Sequence, residues 1–161
     1  MTQKELNKIL ILHKKWLEND PDGIRANLTD ADLTRANLTD ANLTDADLTR
    51  ADLTRANLAR ANLTRADLTR ADLTDANLTR ADLTYADLTY ADLDFSSLPL
   101  WCGSLKADFD DKQLIQIAYH LVKAGLQSDN ASKGTKKELN KLVDFANKFH
   151  RVLECGKIER I

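Results

Sequence analysis

Two cysteines and two histidines in the C-terminal part of the chain are the residues best suited to holding a metal ion. Cys102, His120, His150 and Cys155 have the composition of a Cys2His2 zinc site. Zinc ligands normally come in close pairs, and here only His150 and Cys155 are close, with four residues between them. Buried thiols and hydrogen-bonded histidines therefore fit the spacing better. A disulfide between Cys102 and Cys155 is the second alternative, and we predict no metal and no cofactor.

Carboxylates are the other candidate catalytic groups, because residues 26–95 contain thirteen aspartates. General acid–base catalysis needs a pocket with limited access to water that shifts a pKa. These aspartates recur at fixed steps and are expected to face outward from a convex body, which offers no such pocket. The sequence also contains no glycine-rich phosphate-binding loop, no nucleophile elbow and no H-E-x-x-H motif. We therefore predict that the protein is not an enzyme.

The charge balance does not indicate a nucleic-acid or membrane partner. The formal net charge is −2, and residues 26–95 are the acidic part, with seven arginines against thirteen aspartates. No apolar run reaches the ~18 residues of a membrane span, and no signal-peptide core lies near the N-terminus. Two cysteines make no disulfide framework. We expect a soluble cytoplasmic protein that does not bind nucleic acid directly.

A five-residue repeat dominates the elements that must position these groups. Residues 26–95 are fourteen consecutive pentads, almost all reading Ala-(Asp/Asn)-Leu-Thr-X, with a leucine at the centre of each. A five-residue step would spread these leucines around an α-helix, and in a straight strand it would send them to alternate faces. A chain that bends once per pentad brings all of them to one interior, which predicts a solenoid. The predicted core residues are Leu28, Leu33, Leu38, Leu43, Leu48, Leu53, Leu58, Leu63, Leu68, Leu73, Leu78, Leu83, Leu88 and Leu93.

The repeat resembles that of the pentapeptide-repeat proteins, and it covers 70 of the 161 residues. The resemblance implies an all-β solenoid body with α caps. This body is a right-handed, four-sided parallel β-helix of about 3.5–4 coils, with four pentads in each coil. The flanks, His13–Leu17 with Gly23–Leu28 before the array and Leu98–Gly103 after it, resemble the ends of some bacterial and phage members. The near-perfect repetition fits either a consensus design or a recent duplication between natural helical caps.

The corners and outer faces of such a coil can be predicted from the residue types. No glycine occurs between Gly23 and Gly103, and type II turns usually require Gly or Asn at the position with positive φ. We therefore predict mostly type I turns. Four pentads per coil would stack amides, which can hydrogen-bond along the stack, and carboxylates, which repel unless neighbouring groups or solvent relieve them. The amide stack is Asn37, Asn57 and Asn77, and the carboxylate stack is Asp32, Asp52, Asp72 and Asp92.

Three segments follow from this pattern: an N-terminal capping helix and linker at 1–25, the β-helix at 26–105 and a helical capping segment at 106–161. A capping box at Thr2 and Glu5 predicts a helix over residues 2–18, which would cover the open N-terminal end of the solenoid. A second helix should begin at Asp110 or Asp111 and run to about Lys123, with Gly125 ending it. Its predicted apolar face is Leu114, Ile117, Ala118, Leu121 and Val122.

A third helix is predicted after a polar loop at 127–134. Thr135 and Glu138 have the spacing of another capping box. The helix would run to Gly156 and would form, with the helix before it, a hairpin that closes the C-terminal end of the solenoid. Its predicted apolar face is Leu139, Leu142, Val143, Ala146, Phe149 and Leu153.

The last pentads carry aromatic residues where earlier pentads carry Arg or Asp. Tyr85, Tyr90 and Phe95, followed by Leu100 and Trp101, predict a covered surface. The chain's own C-terminal segment is the first predicted cover, and a homodimer interface is the alternative. We predict a structural or interaction scaffold with an unidentified protein partner.

The resemblance also implies an alternative function. Quinolone-resistance members of the family bind DNA gyrase as acidic mimics of DNA. Here arginines interrupt the acidic faces, and a rod of ~17 Å spans about half of a ~34 Å DNA turn.

Overall fold

Residues 26–97 form a coil that repeats every twenty residues. The computed structural model describes residues 1–97, 111–127, 131–148 and 159. Parallel bridges join each pentad to the pentad twenty residues later, from Asn27 with Asp47 to Asn77 with Ser97. Each coil therefore contains four pentads, as the resemblance implied, and the body is a β-helical solenoid. The bridges are isolated, so the described residues contain no extended strand, and the predicted right hand of the coil stays a prediction.

The interior of the coil is built from the leucine and alanine of each pentad. All fourteen central leucines are at most 3% exposed, which confirms the predicted core. The alanines from Ala46 to Ala91 are buried with them, because a small side chain fits beside the corner where two faces meet. Backbone hydrogen bonds hold successive coils together. In one such set, Leu48 N–H donates to the Asp67 carbonyl (2.7 Å) and Asp67 N–H donates to the Ala46 carbonyl (2.9 Å).

The turns at the corners differ from the predicted type I. The fifth residue of every pentad from Asp30 to Phe95 has φ between 56° and 62°. Positive φ at the second central residue of a turn defines type II, and the prediction of type I was wrong. The physical reason lies between coils, because the N–H of the fifth residue donates to the fourth residue's carbonyl one coil later. Arg50 N–H, for example, lies 2.9 Å from the Thr69 carbonyl oxygen. This bond offsets the left-handed backbone cost of about 1–2 kcal/mol per residue.

Helix α1 (Gln3–Leu17) covers the first coil, as predicted. Thr2 and Glu5 form the predicted capping box. Leu6 is fully buried in the leucine core of the coil, and Ile9 and Leu10 pack against that core. The helix thus protects the apolar end of the solenoid from water.

Side chains and backbone groups of the N-terminal segment also satisfy the open edge of the first coil. The Gln3 side chain acts like a peptide unit of a further coil. Its Oε1 accepts from Asn37 N–H (2.9 Å) and its Nε2 donates to the Asn37 carbonyl (3.0 Å). The Met1 amine donates to the Asp32 carbonyl (2.9 Å), and Arg25 Nε donates to the Asp45 carbonyl (2.5 Å). An exposed row of unpaired backbone groups would otherwise invite pairing with another chain.

Contacts divide the chain into two compact units, Met1–Phe109 and Asp110–Ile161. The second unit contains α2 (Asp111–Gln127), α3 (Lys133–Asn140) and α4 (Val143–Ala146). Its core is Tyr119, Val122, Leu126, Val143 and Ala146, with Ile115 and Leu139 partly buried against it. The predicted segment boundary at 105/106 lies outside the described residues, and closure of the solenoid by these helices stays a prediction.

Helix α2 is longer than predicted and buries a different face. It continues through Gly125 to Gln127, because burying Leu126 offsets the helix cost of a glycine, about 1 kcal/mol. Of the predicted apolar face, Val122 is buried, whereas Leu121 is 56% exposed and Leu114 is also exposed. The buried face is instead set by Tyr119, Val122 and Leu126, three and four residues apart.

The predicted third helix is also corrected. Ser132 caps α3 by accepting from Thr135 N–H (3.1 Å), so Thr135 lies inside the helix and does not cap it. The cap three residues earlier also shortens the predicted loop, since α3 begins at Lys133. A turn at Lys141 and Leu142 separates α3 from α4, where one continuous helix was predicted. Leu142 is exposed there, and the predicted contributions of Phe149 and Leu153 fall outside the described residues.

Candidate interaction surface

The fifth residues of the pentads stack into four corner columns, because the coil repeats every twenty residues. The columns contain most of the charged and all of the aromatic turn residues of the array. They are Asp30, Arg50, Arg70 and Tyr90; Arg35, Arg55, Asp75 and Phe95; Asp40, Arg60 and Arg80; and Asp45, Arg65 and Tyr85.

Each corner column contains one salt bridge between neighbouring coils. Arg50 with Asp30, Arg60 with Asp40 and Arg65 with Asp45 are close pairs, with nitrogen–oxygen distances of 2.5–2.6 Å. The fourth pair, Arg55 with Asp75, is longer at 3.3 Å. The hydrogen bond from Arg60 lowers the pKa of Asp40, and the same bond raises the pKa of Arg60. All four corner aspartates of the array are thus compensated within the molecule.

The stacked aspartates on the flat face are stabilised by their own pentads. Asp52 Oδ1 accepts from Thr54 N–H at 2.9 Å, and Asp32 accepts equivalently from Thr34. Hydrogen bonds from the Thr54 hydroxyl and backbone lower the pKa of Asp52 and outweigh the opposing effect of the Asp32 charge. The groups that the prediction required to relieve this column are therefore the threonines two residues on.

The amide column is hydrogen-bonded along part of its length. Asn77 Nδ2 donates to Asn57 Oδ1 (3.2 Å), and Ser97 Oγ donates to Asn77 Oδ1 (3.1 Å). The predicted ladder is confirmed for these members. At the first coil, Asn37 N–H and its carbonyl bind Gln3, so this face continues directly into the N-terminal cap.

The predicted aromatic positions lie at three successive corners of the last coil. Tyr85 is 64%, Tyr90 66% and Phe95 53% exposed. The guanidinium carbon of Arg70 lies 5.8 Å from the centre of the Tyr90 ring, one coil earlier in the same corner column. This is a cation–π contact. Leu100 and Trp101 lie outside the described residues, and the predicted cap or dimer contact stays a prediction.

The proposed zinc ligands cannot be brought together from the described residues. Cys102, His150 and Cys155 lie outside them, and only the backbone position of His120, within α2, is described. Among the described side chains, no group of three or more His, Cys, Asp or Glu could hold a metal ion. The zinc and disulfide alternatives are both untested.

Two depressions in the described surface are shallow. One of ≈ 410 Å³ is bordered by Trp16, Asp20, Asp45 and Arg65, where α1 meets the first coil. The other, of ≈ 330 Å³, lies on α3 beside Lys133, Lys136 and Lys137. Both are lined by charged side chains that are already exposed. Within the described ranges, no helix is long and apolar enough to cross a membrane, and the cytoplasmic location stays a prediction.

A four-sided coil with compensated corners and a leucine core defines a β-helical repeat protein. The family described as pentapeptide repeats matches residues 26–65 and 61–98, with eight copies. The chain belongs to the pentapeptide-repeat family. A comparison with curated protein sequences finds no match.

Solved structures of other pentapeptide-repeat proteins resemble this chain. A protein of the Arabidopsis thaliana thylakoid lumen is 24% identical, covers 73% of each chain and has a TM-score of 0.48. A protein of Nostoc PCC 7120 is 31% identical over 61% of this chain and 84% of its own, with a TM-score of 0.30. QnrB1, a plasmid-mediated fluoroquinolone resistance protein, is 20% identical over 62% of this chain and 53% of its own, with a TM-score of 0.31.

Sequence reasoning missed two sets of residues. The corner salt bridges are visible in the sequence only when the fifth residues are compared at a separation of twenty, where Asp30, Asp40 and Asp45 each precede an arginine. The polar contacts of the cap, made by Gln3, His13 and Arg25, have no comparable signal. They depend on where α1 lies on the first coil.

Proposed function

We propose that this protein is a non-enzymatic interaction scaffold whose partner-binding surface is the last coil of the β-helix. The observation that carries the proposal is the exposure of Tyr85, Tyr90 and Phe95, each more than half accessible at successive corners. Exposed aromatic side chains are enriched at protein interfaces because they bury a large area at little entropic cost.

The chemistry between these aromatic corners indicates the kind of partner. Asp87 lies between the corners of Tyr85 and Tyr90, and Asp92 lies between those of Tyr90 and Phe95. Two faces of the last coil therefore combine a carboxylate with flanking rings. Such a surface suits a protein partner that presents arginine or lysine beside apolar groups. The contact between Arg70 and Tyr90 shows the geometry in which a ring on this surface accepts a guanidinium. A second copy of this chain is the alternative partner.

The preceding coils are better suited to support than to binding. Their four corner aspartates are compensated by arginines one coil away, so the corners contribute little directed charge. Binding to gyrase as a DNA mimic, the alternative implied by the family resemblance, would require a continuous acidic surface. The interleaved arginines and the short rod give that alternative less support.

Photo-crosslinking tests this surface. A photoreactive phenylalanine analogue at position 90 is expected to capture a partner or a second copy, whereas the analogue at position 60 is not. The combined variant Tyr85→Arg, Tyr90→Arg and Phe95→Arg should lose that binding without a change of fold, because arginine already occupies seven equivalent corners. Arg80→Ser, at the fourth corner of the same coil, is the matched control. Undiminished binding by the triple variant would refute the proposal, and light scattering distinguishes a homodimer from another partner.

A further inference from the structure

His13 connects α1 to the first coil through a buried hydrogen bond. The side chain is fully buried, and its Nδ1 accepts from Ala26 N–H at 3.0 Å. Its ring stacks on Trp16, with 5.6 Å between ring centres and 11° between planes. Ala26 opens the first pentad, so this bond joins the helix directly to the start of the solenoid.

This geometry is compatible only with the neutral imidazole. Because Nδ1 accepts a hydrogen bond, the single proton of the neutral ring lies on Nε2, which is buried without a hydrogen bond. A second proton would convert Nδ1 into a donor facing the Ala26 N–H and would place a charge in the interior. Both changes oppose the observed packing.

The charged groups around His13 do not compensate that added proton. On the segment after α1, Arg25 disfavours the protonated ring. On the first coil, Asp45 favours it, as does the backbone of Thr44, but Asp45 is already bound to Arg65 at 2.6 Å. Trp16, the stacking partner on α1, carries no charge. Burial is the largest effect and lowers the pKa of His13.

We propose that His13 is an acid-sensitive latch, so that its protonation releases α1 from the first coil. Release would uncover Leu6's site in the leucine core and the backbone groups of Asp32 and Asn37 that α1 and the preceding residues now bind. The coils themselves are joined by repeated backbone ladders in which no histidine takes part. His13 is also the only histidine in the unit Met1–Phe109. The opening should therefore be confined to the cap.

The expected effect follows from linkage. A histidine whose pKa is lowered in the closed state opposes protonation there, so closure is most stable above the ordinary pKa of 6.5 and weakens as pH falls below it. With an ordinary pKa in the open state, the opening equilibrium should rise ~30-fold between pH 7.5 and pH 5.0. Glu5 of the capping box does not reproduce this effect, because hydrogen bonds from Thr2 lower its pKa from the ordinary 4.5.

Amide hydrogen exchange of the full chain at pH 7.5, 6.0 and 5.0 tests the latch. After correction for intrinsic rates, protection of α1 should fall ~30-fold across this range, while protection of Leu48 to Leu73 stays constant. His13→Asn retains an acceptor for Ala26 N–H and cannot titrate, so its α1 protection should not depend on pH. An equal pH dependence in His13→Asn would overturn the proposal, and so would equal loss of protection throughout the coils.

A direct titration covers the case in which His13→Asn fails to hold α1 closed at any pH. The imidazole of His13 in the wild-type chain, followed by NMR, should titrate below 6.5 together with the loss of α1 protection. Titration at 6.5 with α1 still protected would overturn the latch.

Discussion

Arg60 binds both carboxylate oxygens of Asp40, twenty residues earlier and one coil away. Its Nε and Nη2 each lie 2.6 Å from an oxygen of the carboxylate. The same two-point geometry joins Arg65 to Asp45. These pairs link residues that are distant in sequence and adjacent in space. They show that the fifth residue of a pentad is chosen partly by its neighbour one coil away.

The Arg60–Asp40 contact should contribute a salt-dependent coupling. A double-mutant cycle with Asp40→Asn and Arg60→Gln is expected to show a favourable coupling at low salt, because the pair is bidentate. Both side chains are more than half exposed, so the coupling should be small and nearly vanish in 1 M NaCl, where the screening length is about 3 Å. Chemical denaturation with urea at both salt concentrations measures it. The pair of Arg55 and Asp75, with its longer contact, serves as the weaker comparison, and a coupling that is insensitive to salt would contradict this account.

The left-handed corners predict an unusual order of substitution effects. Arg35 has φ of 58° and takes part in none of the four corner salt bridges. Arg35→Gly should be tolerated, because glycine adopts this conformation without steric cost. Arg35→Val should be less stable than Arg35→Gly by about 1–2 kcal/mol, because a β-branched residue is strained at positive φ. Urea unfolding of the two variants checks this order, and equal stability would argue against type II corners.

The core of the fold could be predicted from the sequence, but its corners could not. A leucine such as Leu63 repeats every five residues, and no regular helix or strand can place all such leucines on one side. The turn conformation at Arg50 depends instead on a hydrogen bond to Thr69, nineteen residues later. Residue preferences within a single turn do not include that bond, and so they favoured the wrong turn type.

The candidate surface was predicted in part for a similar reason. The positions of Tyr85, Tyr90 and Phe95 follow from the five-residue step, which places them at successive corners. The role of His13 does not follow from its spacing, because a histidine on the apolar side of a helix is compatible with several environments. In the second unit, Leu121 matched a helical apolar pattern and yet is exposed. The competing pattern of Tyr119, Val122 and Leu126 meets α4.

Thr54 should control the protonation of Asp52. Its hydroxyl and backbone N–H lower the pKa of that carboxyl group. Stability from Asp52 is therefore present above the ordinary pKa of 3.8 and lost as pH falls through the lower folded value. Thr54→Val removes the hydroxyl and should raise the pKa of Asp52, whereas Thr54→Ser should leave it low. Carboxyl carbon NMR titration measures both, and an unchanged pKa in Thr54→Val would mean that the backbone N–H alone suffices.

Gly23 should be the least replaceable glycine in the described part of the chain. A Cβ at this position would lie 2.2 Å from the backbone nitrogen of Trp16 and 2.4 Å from its Cα. Relief requires movement of the backbone that places Trp16 and His13, so Gly23→Ala should destabilise the protein by about 1–3 kcal/mol. Gly134→Ala is the matched control, because its Cβ would meet only Ser132 Oγ at 3.7 Å. Within α3 it should stabilise by about 0.5–1 kcal/mol. Chemical denaturation gives both values, and a neutral Gly23→Ala would show that the chain between α1 and the first coil can shift without cost.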